Sequence, residues 1–200
     1  MDTKKVIWLA GFIDADGCIR LSKGWKNKKG QYSLIPQITV HNVCVVTLNE
    51  VADIIGKICP GFQTTWRKRI SKKHSKMYNI SIMGIKRTKP LLEAIKPYLI
   101  TKRLEAELLY KFINNRLNAP YHNAKYSSEA YQIYYALKEL KLARHLRDFT
   151  PTVEEILNQD KVRTSAKALE EAEMTSRLSE EERKKQASTL VWYRKDRSRK

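Results

Sequence analysis

Apolar and polar positions recur along this chain with two different periods, and the switches between them lay out its elements. Val6 to Asp14 is a short, mostly apolar run of helical character, broken at Asp16-Gly17. Alternation follows. From Cys18 to Trp25, Ile19 and Leu21 oppose Arg20 and Ser22; from Tyr32 to Val40, Leu34, Ile38 and Val40 oppose Ser33, Ile35, Gln37 and Thr39. Both stretches predict half-buried strands joined by a turn over 27–30. Pro36 has no N–H for a ladder, which predicts an edge strand or a bulge there. Asn42 is a good N-cap for an apolar helix Val43–Ile55, ended by Gly56. After Pro60-Gly61 comes a second strand pair, Phe62 to Arg69 and Met77 to Met83. One face of this pair holds Gln63, Thr65, Arg67 and Arg69, with Asn79 and Ser81 opposite the apolar Tyr78, Ile80 and Ile82. Helical patterning resumes over 86–99, 102–117 and 128–146.

The order α-β-β-α-β-β-α, followed by more helices, makes this an α+β chain. Each hairpin has one apolar face to lay on helices and one polar-to-basic face left open. Residues 1–150 are expected to form one domain, with 151–200 a helical extension ending in a basic tail. Thr152-Val-Glu-Glu155 and Ser179-Glu-Glu-Glu182 both have the form of capping boxes, and the last residues, 194–200, are mostly basic.

Charge sharpens this picture. The 200 residues carry 39 Lys+Arg against 21 Asp+Glu, a net of +18. Residues 20–89, the stretch with strand patterning, hold 15 basic and 2 acidic side chains, a net of +13. Self-repulsion on that scale calls for a polyanionic partner, with nucleic acid ahead of an anionic membrane. The residue types on the open strand faces suit base edges: Arg for guanine, Gln or Asn for adenine, Thr for either. Strand parity selects Arg20, Ser22, Ser33, Gln37, Thr39, Gln63, Thr65, Arg67, Arg69 and Asn79 as DNA-reading candidates. Lys26, Lys28, Lys29, Lys72, Lys73 and Lys76 lie at turns and loops, where phosphate contacts set affinity. Three scattered cysteines exclude a disulfide scaffold and a zinc ribbon. No run is long enough to span a membrane and none has the form of a signal peptide, so an intracellular, non-secreted protein is expected.

The stretch Leu9-Ala-Gly-Phe-Ile-Asp-Ala-Asp-Gly17 carries the chemistry. Gly11 and Ala15, four apart, leave one helix face nearly bare, which lets a second helix approach closely. Asp14 and Asp16 fall at the helix C-terminus, where the macrodipole disfavours negative charge by roughly 0.3–1 kcal/mol each. A site that keeps them there is suited to holding a cation. A carboxylate beside a backbone carbonyl is a hard-oxygen set that fits Mg²⁺.

These nine residues resemble the signature of the LAGLIDADG homing endonucleases, with Phe12 in place of Leu. The element order is similar to that family's core. The stretch Lys89-Pro-Leu-Leu-Glu-Ala-Ile-Lys-Pro-Tyr-Leu99, followed by Thr101-Lys-Arg-Leu-Glu-Ala-Glu107, resembles its third-helix region. The resemblance covers roughly residues 6–118 and implies a saddle-shaped antiparallel sheet on double-stranded DNA. It gives Asp16 and the backbone carbonyl of Ala15 to a divalent metal, Mg²⁺ or Mn²⁺, and makes Asp14 structural. It places Gly11 and Ala15 in a helix–helix dimer interface. Lys102 takes the part of a basic catalytic helper, Asn42 that of a polar residue positioning water, and His41 joins the DNA-facing row. A single copy of the signature implies a homodimer on a long, roughly palindromic target, cutting both strands to leave short 3′ overhangs. The protein would then act in the cytoplasm, nucleoid or organelle of an intron host. The alternative within the same family is an intron maturase or DNA-binding regulator that binds nucleic acid without cutting.

Overall fold

The structure, a computed structural model, describes residues 2–26, 32–61, 67–71, 74–119, 126–143 and 152–175. Helix α1 spans Thr3–Asp16 and starts on Asp2, whose carboxylate accepts from Lys4 N at 2.9 Å. It passes directly into strand β1 (Gly17–Lys26). Glycine is needed at this junction, because a Cβ on Gly17 would lie 2.6 Å from the Ile13 carbonyl oxygen. Strand β2 (Tyr32–Asn42) pairs antiparallel with β1, and strand β4 (His74–Met83) pairs antiparallel with both β2 and β3 (Arg67–Ser71). The four-stranded sheet has the order β1-β2-β4-β3.

That order makes β2 a central strand and corrects the expectation of an edge at Pro36. The reason lies one residue away. The last β2–β4 pair is Gln37 with Met83, so β4 has already turned off where Pro36 stands. The Pro36 carbonyl accepts instead from Gly84 N at 3.0 Å and Thr88 Oγ1 at 3.3 Å, at the start of the next helix. The ring thus sits where β2 keeps its pairing with β1, through Leu21, and has no partner in β4, so no β2–β4 ladder bond is lost.

Helix α2 spans Val45–Ile58, two residues later at its start than the sequence suggests. Asn42 is still in the ladder, opposite Tyr78, and its Oδ1 accepts from Cys44 N at 2.8 Å. Gly56 does not end the helix. A glycine costs a helix interior about 1 kcal/mol, less than the burial of Leu48, Val51, Ile54 and Ile55 on the inner face returns. The expected helix over 86–99 divides into α3 (Ile85–Ile95) and a 3-10 turn at Lys96–Tyr98, where Pro97 cannot continue the α-helical bonds. Helices α4 (Arg103–Leu117), α5 (Ser128–Ala143), α6 (Val153–Asn158) and α7 (Asp160–Thr175) follow.

One face of the sheet, with Ile19, Leu21, Leu34, Ile38, Val40, Ile80 and Ile82, is buried in a core shared with Leu9 and Ile13 of α1 and Phe112 of α4. Ile156, Val162 and Ala166 of α6 and α7 join that core. The capping box at Thr152 is formed, with both of its bonds to Glu155 present at 2.6 and 3.2 Å. The second box at Ser179 and the basic end lie outside the described residues.

Candidate active site and nucleic-acid interface

At the C-terminal end of α1 the two carboxylates take different partners. Asp14 accepts from the backbone N–H groups of Ile100 (2.6 Å), Thr101 (3.2 Å) and Lys102 (2.9 Å). These are the unpaired donors ahead of α4, so a carboxylate misplaced on its own helix becomes well placed at the N-terminus of another. Asp16 is exposed and its Oδ2 accepts from Asn42 Nδ2 at 3.3 Å. Lys102 is 3% exposed. Its ammonium donates to the carbonyls of Ile13 (2.9 Å), Asp14 and Ala15 (3.4 Å). Helix α1 has no basic residue in its own last turn, and Lys102 supplies that charge from the start of α4. Asp16, Asn42, Lys102 and the Ala15 carbonyl therefore meet at one tip, with Lys102 turned inward against the helix end.

The open face of the sheet adjoins this tip. Register pairs Cys18 with Thr39, Arg20 with Gln37, Thr39 with Ser81 and His41 with Asn79, which puts all of them on the face opposite the core. Ser22 and Ser33 share it by alternation along β1 and β2. Arg67 and Arg69 occupy the positions opposite Asn79 and Met77. Gln63 and Thr65 lie outside the described residues, as do Lys28, Lys29, Lys72 and Lys73; Lys26 belongs to β1 and Lys76 to β4.

The middle of this face is closed by its own hydrogen bonds. Gln37 is 5% and Thr39 2% exposed. Gln37 Oε1 accepts from Arg20 Nε at 3.0 Å and Ser22 Oγ at 2.7 Å. Gln37 Nε2 donates to Ser81 Oγ at 3.5 Å, and Ser81 and Thr39 hydroxyls are 3.5 Å apart. Asn79 Oδ1 is buried with no hydrogen-bond partner among the described residues. Two side chains bonded to residues of this face lie outside the set that strand parity selects. Ser81 was visible in the alternation of β4. Lys141, whose ammonium lies 3.1 Å from Cys18 Sγ, comes from α5 and left no local signal.

A family model described as LAGLIDADG endonuclease matches residues 9–114, more than half of the chain. The chain belongs to the LAGLIDADG endonuclease family. Proteins of this family are DNA endonucleases. Among solved structures, the homing endonuclease I-CvuI, in complex with its target in the presence of calcium, is 27% identical over 84% of this chain and 95% of that one, with a TM-score of 0.55. The archaeal intron-encoded homing endonuclease I-Vdi141I, complexed with DNA, shares the fold at 13% identity and a TM-score of 0.55, over 82% of this chain and 98% of that one. The LAGLIDADG homing endonuclease I-GzeII, in complex with its DNA target, shares it at 16% identity and a TM-score of 0.51, over 74% of this chain and 50% of that one. No curated protein sequence matches the chain significantly.

In this LAGLIDADG chain the tip fits a divalent cation by its donor chemistry. Asp16 offers a carboxylate and Ala15 a carbonyl, both hard oxygen donors at the negative end of a helix dipole. The pull on positive charge is visible in Lys102, drawn to the same carbonyls. Among the described residues no three His, Cys, Asp or Glu side chains gather. Mg²⁺ is commonly held this way, through one or two carboxylates with waters and substrate phosphates.

The outer side of α1 is the remaining feature. Ile7 and Trp8 are 48% and 42% exposed, Gly11 and Ala15 are exposed, and Trp8 stacks on Phe12 at 5.4 Å with an 11° interplanar angle. Val43, Val46 and Ile100 are exposed as well; Val43 follows Asn42 directly, Val46 lies four residues beyond Asn42 and Ile100 two residues before Lys102. Among the described residues no helix is long and apolar enough to cross a membrane.

Proposed function

We propose that this chain is a site-specific homing endonuclease, acting inside the cell as a homodimer on a long, roughly palindromic duplex. It hydrolyses one phosphodiester on each strand with a divalent metal, Mg²⁺ or Mn²⁺, and leaves short 3′ overhangs. The observation that carries this reading is the outward acidic tip, in which Asp16 stands exposed beside Asn42 at the end of a helix whose outer side is apolar and bare. Pairing of two such helices about a twofold axis covers the apolar side and brings two Asp16 carboxylates together. The lengths of the relatives support pairing: the fold spans 95% of I-CvuI but 50% of I-GzeII, as one unit of a two-unit chain would.

Asp16 and the Ala15 carbonyl would hold the metal. Bound there, it supplies Lewis acidity toward a phosphate oxygen and makes a coordinated water more acidic. Asn42 holds the Asp16 carboxylate from the end of β2 and, through its own bond to Cys44 N, ties the tip to the start of α2. Lys102 neutralises the carbonyls at the end of α1 and keeps the Ala15 oxygen in place. The net charge of +13 over residues 20–89 draws in the phosphates on either side of the sheet.

The test is incubation of the purified chain with duplexes carrying its selected target, with Mg²⁺ or with a chelator. A double-strand break that needs the metal is the expected result. Tight binding of the same duplex with no break under any divalent ion would replace the endonuclease by a maturase or a DNA-binding regulator.

A further inference from the structure

The hydrogen bonds at the centre of the open face separate two residues that strand parity treats alike. Arg20 and Gln37 are direct cross-strand partners, yet Arg20 is exposed and Gln37 is 5% exposed. Arginine has no acceptor, so the Gln37 amide must turn its oxygen toward Arg20, and its orientation is settled by chemistry. That oxygen receives two donors, Arg20 Nε and Ser22 Oγ, and the amide nitrogen is directed at Ser81. The acceptor-and-donor pair that a glutamine offers to adenine is thereby engaged within the protein.

Arg20 is in the opposite condition. Its guanidinium is held at Nε, the inner corner of the planar fork, and its terminal amines form the other end. A fork held in this way loses less conformational freedom on binding. Presented from a strand to the major groove, it matches the O6 and N7 acceptors of guanine.

We infer that Arg20 reads one guanine in each half of the target and that Gln37 is its positioning residue, not a reader of its own base. This rests on the proposed role of the open face in reading DNA. Arg20 lies four residues beyond Asp16 along β1, about 13 Å at the rise of a strand, so its guanine belongs to the inner part of each half-site.

The experiment is selection of bound sequences from a randomised duplex library by the full chain, comparing the base preferences of variants position by position. The wild-type protein enriches a guanine at one inner position of each half. Arg20→Ala lowers that preference about tenfold or more and leaves the other positions as they were. Gln37→Met keeps the side-chain volume without the acceptor and weakens the same guanine severalfold, while Gln37→Glu, which restores an acceptor for Nε, restores it. Relaxation at a different position in Gln37→Met would make Gln37 a reader and overturn the division of roles. A guanine untouched by Arg20→Ala would remove Arg20 as its reader. Should Gln37→Met lose all positions together through misfolding, Arg20→Lys, at an exposed site, keeps the charge without the fork and must still lose the guanine. A wild-type chain that enriches no sequence fails the proposed function itself, and the assignment of Arg20 falls with it.

Discussion

The two sides of the motif helix are both apolar, and a single chain covers only one of them. On the inner side Val6, Leu9, Ala10 and Ile13 are at most 5% exposed. On the outer side Ile7 and Trp8 remain nearly half exposed beside the bare positions Gly11 and Ala15. A helix that is apolar all round belongs in an interior, so the outer side is core-type surface that one chain leaves uncovered. The carboxylates divide along the same line. Asp14 turns inward and takes three backbone N–H groups, whereas Asp16 turns outward and keeps one long bond to Asn42. Two residues of one type, about 200° apart around the helix axis, do different work because of where the helix points them.

The largest test of this contrast is Asp16→Asn, which keeps the shape and removes the charge. Cleavage should fall by about a thousandfold, while binding in a gel-shift assay and the melting temperature hold. A loss of fold stability instead would put Asp16 with the inner side. Next in size is Gly11→Leu. A Cβ on Gly11 would meet nothing within 4 Å in the single chain, so the fold tolerates it, and leucine is a better helix former than glycine by about 1 kcal/mol. The monomer should therefore remain folded while the dimer dissociation constant rises about a hundredfold, read by sedimentation as a function of concentration. An unchanged dimer would move the interface off this helix.

Much of the contrast is legible in the sequence, and the part that is not has a physical cause. The strand faces follow from alternation because the period of a strand is two, and register confirms them from Arg20 to Asn79. The small residues of the bare helix face follow from the spacing of Gly11 and Ala15. What local pattern cannot carry is a partner chosen across the fold. Lys102 reads as a basic helper of the site; that its ammonium reaches the carbonyls of Ile13, Asp14 and Ala15, across 86 or more residues of intervening chain, leaves no local signal. Gln37 reads as one open-face side chain among several. Only the meeting of three strands shows that Arg20, Ser22 and Ser81 already hold its amide. The start of α2 differs from its expected place for a similar reason, since the β2–β4 ladder runs on through Asn42 and delays the helix to Val45.

The inner side should respond through stability. Asp14→Ala leaves three N–H groups ahead of α4 without their acceptor and should cost about 2 kcal/mol in denaturant unfolding. Lys102→Met keeps the length of the chain and removes a buried donor shared by the carbonyls of Ile13, Asp14 and Ala15, at a cost of about 1–3 kcal/mol. Both effects should appear in the absence of DNA and metal. If Asp14→Ala abolished cleavage at unchanged stability, the inner carboxylate would be part of the chemistry as well.

The rim between the two sides should matter least. Lys5 Nζ lies 2.7 Å from Glu50 Oε1, tying α1 to α2, with both side chains nearly half exposed at 46% and 43%. The hydrogen bond and charge of Lys5 hold the Glu50 carboxyl below the usual carboxylate range, and those of Glu50 raise Lys5 above the usual lysine value. The depressed Glu50 contributes stability above its unfolded value, lost as pH falls through the folded one. The raised Lys5 contributes below its unfolded value, lost as pH rises through the folded one. The pair therefore acts across the neutral range and fades at both ends. An exposed pair is largely screened by salt and water. Glu50→Gln should lower the melting temperature only slightly at neutral pH and low salt, and not at all in acid or at high ionic strength. A loss as large as that of Asp14→Ala, persisting in salt, would mean that α1 is held by its rim as much as by its inner side, and the contrast between the two sides would no longer account for how the helix is fixed.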